Sequence, residues 1–166
     1  MSSQIILGSS SKYRAQALRT LGLELDRDFN QRSPSVDETP KPMESAQAIA
    51  SRLALAKAKE IALNNPGKVI IGSDQTGVCG DRILEKPGTV EAAIESLTYC
   101  SGKTAVFYTG LAIYQTSVQQ QNSAGDKYTL DVEATHLQFR TLTAAQITKY
   151  VELDKPLDCA GAFKAE

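Results

Sequence analysis

Val69-Ile70-Ile71-Gly72-Ser73-Asp74-Gln75, answered about a dozen residues later by Glu85-Lys86-Pro87, is the stretch on which the fold turns. Val69-Ile70-Ile71 is short, apolar and β-branched, the pattern of a buried strand rather than of a helix. It should deliver one carboxylate, Asp74, to the strand's carboxyl end, which is where open α/β sheets bind ligands. Upstream, Gln4-Ile5-Ile6-Leu7 reads as a first strand. Gly8 and three serines turn it into a helix over about 12–21, with Ala15, Leu18 and Leu21 inward. A polar loop follows from Ser33-Pro34 to Lys41-Pro42. A long helix is expected over about 44–64, with Ile49, Leu53, Ala56 and Ile61 inward, stopped by Pro66-Gly67.

Downstream, Thr89 is placed to cap a helix over roughly 90–99. Residues 105–114 are rich in Val, Phe, Tyr and Ile and read as a strand. Phe107, Tyr108 and Tyr114 on it are assigned to the core, although either tyrosine could reach a cleft. Residues 119–126 read as a polar turn. Tyr128 to Arg140 reads as a long strand whose apolar phase moves from Leu130 and Val132 to Leu137 and Phe139, which implies a bulge or bend. Thr143 with Gln146 is a capping box for a last helix to about Leu153. Alternating strands and helices without repeats or linkers give an α/β or mixed α+β protein in one domain, 1–166. The chain stops inside Leu157-Asp158-Cys159-Ala160-Gly161, a stretch that reads as an ordered loop, so a truncated C-terminus is expected.

Composition narrows the function. The chain has 166 residues, 42% hydrophobic and 22% charged, with a net charge of −1. It is globular, and it has no basic field for a nucleic-acid polymer or an anionic membrane. Its apolar runs are too short to span a bilayer, and the N-terminus lacks the pattern of a signal peptide. Three scattered cysteines, Cys79, Cys100 and Cys159, fit reduced thiols in a cytoplasm.

Several residue groups could carry chemistry. Gly8-Ser9-Ser10-Ser11-Lys12-Tyr13-Arg14 joins a strand to a helix start, whose free N–H groups, hydroxyls and arginine suit an anion. Taken alone it reads equally well as a serine-rich turn. Asp37-Glu38 on a Pro-stiffened loop can supply a Mg²⁺ ligand, although a solvated acidic turn is the simpler local reading. Arg52, Lys57 and Lys59 look like the wet face of the long helix, except that Lys57 neighbours inward Ala56 and could reach a cleft edge. Asp74, with Gln75 and Lys86 nearby, could orient or deprotonate a water beside a metal-bound phosphate. His136, the single histidine, reads as structural. No His/Cys cluster suggests zinc, and Cys159 has no base.

The ordered series Leu7-Gly8-Ser9-Ser10-Ser11-x-x-Arg14, Val36-Asp37-Glu38, Arg52-Leu53-Ala54-x-x-Lys57-Ala58, Ile71-Gly72-Ser73-Asp74, Lys86-Pro87, Ser101-Gly102, Tyr108-Thr109-Gly110 and Ala160-Gly161 resembles the Maf family of nucleoside triphosphate pyrophosphatases. The resemblance runs the length of the chain. It implies a two-lobed α/β fold, an elongated mixed β-sheet flanked by helices with a central cleft, similar to the inosine-triphosphate pyrophosphatase architecture. It also implies hydrolysis of a nucleoside triphosphate to the monophosphate and pyrophosphate with a divalent cation (magnesium, manganese or cobalt). By the same resemblance Asp74 is the proton acceptor. Ser9, Arg14, Lys57 and Lys86 hold the phosphates, and Glu38 with Asp74 holds the metal. Ser73-Asp74-Gln75 replaces the Ala-Asp-Thr typical of members acting on dTTP and UTP, and the last loop resembles the branch acting on 7-methyl-GTP. Tyr13, Gln75 and Glu166 then choose the base. An aromatic face attracts the cationic 7-methylguanine ring, and a carboxylate can accept from its N1–H and amino group.

Two positions depart from the family pattern: Lys12 stands where Pro is frequent, and Ala15 where a second Arg is common. Family members normally continue past Glu166 with further structure. The expected partner is a small nucleotide, in a cytoplasmic enzyme that clears noncanonical nucleotides, with a homodimer compatible with this reading. The rival expectations are a pyrimidine triphosphate substrate, or a non-hydrolysing nucleotide-binding regulator of cell division.

Overall fold

The computed structural model describes residues 4–115 and 127–164. The expected turn over 119–126, and Glu166 with the base-selecting role expected of it, therefore lie outside the described residues. The elements run β1 (Ile5–Gly8), α1 (Lys12–Thr20), β2 (Phe29–Arg32), α2 (Ala46–Ala62), β3 (Val69–Cys79), β4 (Arg82–Leu84), α3 (Val90–Cys100), β5 (Thr104–Gln115), β6 (Lys127–Gln138) and α4 (Ala144–Asp154). A 3-10 turn follows at Ala160–Ala162. Six strands form one mixed sheet in the order β2-β1-β3-β5-β6, with β4 paired to β3. β1 runs parallel to both β2 and β3, Leu7 facing Ile71 and Gly8 facing Gly72, while β3 and β4 are antiparallel. The fold is thus the mixed α/β class expected.

The chain divides into two compact units. One comprises Met1–Asp74 with Thr109–Glu133, the other Gln75–Tyr108 with Ala134–Glu166. In the first unit α2 buries Ala54, Ala58 and Ile61 with Ile6, Ile70, Ala112 and Tyr114, and Leu7, Ala15 and Phe29 form a second cluster. In the second unit Leu84, Leu97, Phe107, Phe139, Ile147 and Val151 surround the buried Cys79 and Cys100.

Caps decide most helix starts. Ser11, Ser45, Thr89 and Thr143 each accept a backbone N–H with their side chains, and Thr143 with Gln146 forms the full capping box.

Four expectations need correction. β3 does not end at Asp74: the parallel ladder with β1 stops at Gly72, but the strand continues to Cys79, with Gly77, Val78 and Cys79 paired to β4. Leu21 is not inward. It follows the last turn of α1 and is 77% exposed. On α2 the inward phase passes through Ala54, Lys57 and Ala58, with Ala56 only half-buried. Tyr108 is half-buried, whereas Phe107 and Tyr114 are core. The short β2 and β4 had no readable signal, and His136 is exposed on β6.

The phase shift in β6 has a physical origin. Leu130 packs in the first unit's cluster and Leu137 against the second's, with the chain passing from one unit to the other between Glu133 and Ala134.

Candidate active site

Close helix–strand contact builds the site in the first unit. A Cβ placed on Gly72 would stand 2.7 Å from the Ala58 nitrogen and 2.8 Å from its Cβ. One on Gly110 would stand 2.7 Å from the Ala50 carbonyl carbon. Only glycines on β3 and β5 opposite the Ala50, Ala54 and Ala58 stripe of α2 allow this approach. The approach carries Lys57 down onto β3. Its Nζ donates to Asp74 Oδ1 at 2.6 Å and lies 2.7 Å from Glu38 Oε1. The Lys57 and Asp74 side chains are 8% and 10% exposed, so this ion pair is largely removed from water, while Glu38 on its loop is 61% exposed.

The turn into α1 adds Ser9 and Arg14, which the sequence suggested for an anion. Ser9, buried, accepts from the Ser11 N–H at 3.1 Å and from Arg14 Nη1 at 3.1 Å. Gln31 on β2 donates to the Ser9 carbonyl at 2.6 Å and fixes the turn. Burial lowers the Arg14 guanidinium from its usual value, against the opposing pull of Asp74 and then of Glu38. Ser9, Arg14, Glu38, Lys57 and Asp74 are therefore one electrostatic cluster. Tyr13, on the same helix, is half exposed.

The acidic loop is itself clamped. Arg52 forks onto Glu44 (Nε–Oε1 2.6 Å, Nη2–Oε2 2.7 Å) and donates to the Thr39 carbonyl at 3.2 Å. Arg52 first, and the Lys41 N–H second, hold the Glu44 carboxyl down at about 2. Arg52 is thus a brace for the loop bearing Glu38, a role that its place in a run of helix cations gave no means of finding.

Gln75 and Lys86 belong to the second unit. Gln75 follows Asp74 on β3 and is exposed. Lys86 is exposed between two backbone anchors, Gly161 N–H to the Glu85 carbonyl at 3.0 Å and Gly88 N–H to the Leu157 carbonyl at 2.9 Å. Gly161 has φ 71° and packs on Leu84, so a side chain there would be both strained and crowded. A cavity of about 310 Å³ in the first unit is lined by Arg32, Ser33, Glu60, Ile61, Asn64 and Asn65, none of them among the expected site residues.

The donor set bears on a metal. Both carboxylates reach one nitrogen, so their oxygens are no farther apart than those two distances laid end to end. Two carboxylates facing one point are the hard oxygen donors that a Mg²⁺-type ion takes, with its remaining ligands from water and phosphate. Among the described residues no group of three or more His, Cys, Asp or Glu side chains is placed to hold an ion. No helix among them is long and apolar enough to cross a membrane.

The structure is thus a mixed α/β scaffold carrying a Ser-Arg-Lys-carboxylate cluster. The family described as Maf-like protein matches residues 4–166, and the chain belongs to the Maf family. It is 44% identical to the 7-methyl-GTP pyrophosphatase of Idiomarina loihiensis, over all of this chain and 79% of that one. It is 41% identical to that of Nitrosococcus oceani (98% and 76%) and 42% identical to that of Alcanivorax borkumensis (98% and 77%). Among solved structures, a HAM1 protein from Coxiella burnetii overlaps with TM-score 0.41 at 14% identity, covering 80% of this chain and 71% of that one. At that level of overlap the likeness bears on no residue of the site.

Proposed function

We propose that this Maf-family chain hydrolyses a nucleoside triphosphate, with 7-methyl-GTP as its substrate, to the monophosphate and pyrophosphate. The observation that carries the reading is the buried Asp74 in one cluster with Lys57, Arg14, Ser9 and Glu38. The relatives named above, 7-methyl-GTP pyrophosphatases, support the same reaction and base.

In this proposal the helix start behind Ser9-Ser10-Ser11, with Arg14, binds phosphate oxygens through N–H donors and a guanidinium. Lys57 and Lys86 contribute further positive charge. Asp74 orients a water toward the α-phosphorus and takes its proton as the new P–O bond forms, and the α–β bridging oxygen leaves with pyrophosphate. Glu38 and Asp74 would hold a divalent cation, which when bound supplies charge neutralisation on the phosphates. Tyr13 offers an aromatic face to a cationic purine, and Gln75 with Glu166 completes base choice. Three free cysteines suit a reducing, cytoplasmic setting.

The test is pyrophosphate release from 7-methyl-GTP, GTP, UTP and dTTP with Mg²⁺ or Mn²⁺. The expected result is highest kcat/KM on 7-methyl-GTP, with a selective loss on that substrate in Tyr13→Ala. Equal or better turnover of UTP or dTTP would make the substrate assignment wrong and favour the pyrimidine branch.

A further inference from the structure

Among the described residues, Lys57 is the one lysine or arginine that is buried. Its position is unusual for a phosphate ligand. Its Nζ donates to Asp74 and lies 2.7 Å from Glu38, the two carboxylates assigned above to a divalent cation. An ammonium and a divalent ion cannot share that spot, because like charges a few ångströms apart in a water-poor site repel strongly. Nor would the buried Asp74 be left without a cation, since a buried, uncompensated carboxylate is strongly disfavoured.

We infer that the Lys57 ammonium is a resident stand-in for the divalent cation, bridging Glu38 to Asp74 until that cation and the triphosphate arrive. The inference rests on the proposed reading of Glu38 and Asp74 as the metal-holding pair, and it adds a control on their loading. Entry of the cation requires Lys57 to leave the two acids, and the oxygens of a triphosphate are the acceptors that would take it. Arg52 braces the loop at Thr39 and Glu44, so the loop keeps Glu38 in place, and Glu38 is the exposed member of the trio, open to an arriving cation.

The consequence is quantitative. A state that must be vacated before a ligand binds weakens its apparent affinity by the fraction of molecules already vacated. With the lysine-free arrangement populated at about 1–10%, the nucleotide-free protein should bind a divalent cation about tenfold to a hundredfold more weakly than its carboxylate pair allows.

The experiment is Mn²⁺ titration of the nucleotide-free full chain, followed by the loss of the free-ion electron paramagnetic resonance signal, for wild type and Lys57→Met. Methionine keeps the length and the packing of the stem but removes the charge. The expected result is an Mn²⁺ Kd about tenfold or more tighter in the variant. An equal or weaker Kd would mean that Lys57 only positions the acids, and would overturn the inference, as would Mn²⁺ binding to neither protein. Should circular dichroism show the variant unfolded, wild type labelled with ¹⁵N-lysine gives the answer. The Lys57 ammonium cross-peak, protected by two carboxylates, is expected to move to the position of exposed lysines as Mg²⁺ is added. A peak that stays in place while Mg²⁺ binds overturns the inference. Neither readout involves turnover, so a chain that binds Mn²⁺ in this way yet releases no pyrophosphate would remove the hydrolase reading and leave the role of Lys57 standing.

Discussion

Replacing Gly72 with alanine perturbs the contact that sets Lys57 on Asp74. The added Cβ would lie 2.7 Å from the Ala58 nitrogen and 2.8 Å from the Ala58 Cβ, where ordinary contact begins at 3.4 Å. The opposing atoms belong to the backbone and the Cβ of a helix, so no flexible side chain can swing away. α2 must withdraw by the better part of an ångström. Overpacking of this kind costs about 1–3 kcal/mol, and rigid opposing atoms put Gly72→Ala at the upper end. Removing a strand glycine returns about 0.5–1 kcal/mol, leaving a net loss of about 2 kcal/mol. For a chain of this size that is a fall in Tm of about 4–8 °C.

The same withdrawal stretches the 2.6 Å Lys57–Asp74 contact beyond hydrogen-bond range. A displacement of about 1 Å at reacting groups can cost about 10²-fold in rate, so kcat should fall together with stability. Gly8→Ala is the control for stability, because its Cβ would meet Ile61 Cγ1 and the Ile71 oxygen at an ordinary 3.4 Å. Urea unfolding and pyrophosphate release of both variants provide the assay. Gly72→Ala matching wild type in both would refute the close-packing argument for how the site is assembled.

Glu44→Gln should show a pH-dependent penalty. The carboxyl is held at about 2 against an ordinary 4.5, so its contribution is present in full above pH 4.5 and disappears as pH falls toward 2. The Tm gap between wild type and Glu44→Gln should therefore be constant near neutrality and close between pH 4.5 and 2; a gap that widens in acid would contradict the Arg52 brace. Thr143→Ala should cost about 1 kcal/mol, measured by urea unfolding, because the Gln146 N–H loses its Thr143 Oγ1 acceptor while the Thr143 N–H keeps its bond to Gln146 Oε1. Thiol labelling of the native protein should modify Cys159 first. Cys100 is pushed up to about 12 by burial and by its contact with Cys79, and both are fully buried, so they should react only after denaturation.

The secondary structure was legible where local physics decides it. Thr89 and Thr143 announce their helices by capping, and the β-branched run at 69–71 announces a buried strand. The four-residue β2, Phe29-Asn30-Gln31-Arg32, was not legible: only Phe29 is buried, and what makes it a strand is its register with β1. The end of β3 was misjudged for a similar reason. Ser73 to Gly77 is too polar and too glycine-bearing to read as strand, and the strand runs on to Cys79, where it pairs with the three-residue β4, itself without a readable signal. Within the site, motif order indicated Ser9, Arg14, Glu38, Lys57 and Asp74, which the fold brings into one cluster. Lys57 looked like an edge cation because helix charges are usually wet. Its burial follows from two glycines on neighbouring strands, which no local window contains. The Arg52–Glu44 clamp was hidden in the same way, as a pairing between a helix and the loop before it.

Asp74→Asn is the decisive variant: pyrophosphate release from 7-methyl-GTP at saturating Mg²⁺, with nucleotide binding followed in parallel by thermal shift. Asparagine keeps the shape and gives up the proton acceptor, so kcat should drop by about 10²–10⁴-fold while the nucleotide still raises Tm. An Asp74→Asn protein that turns over as fast as wild type would show that this carboxylate does not direct the attacking water.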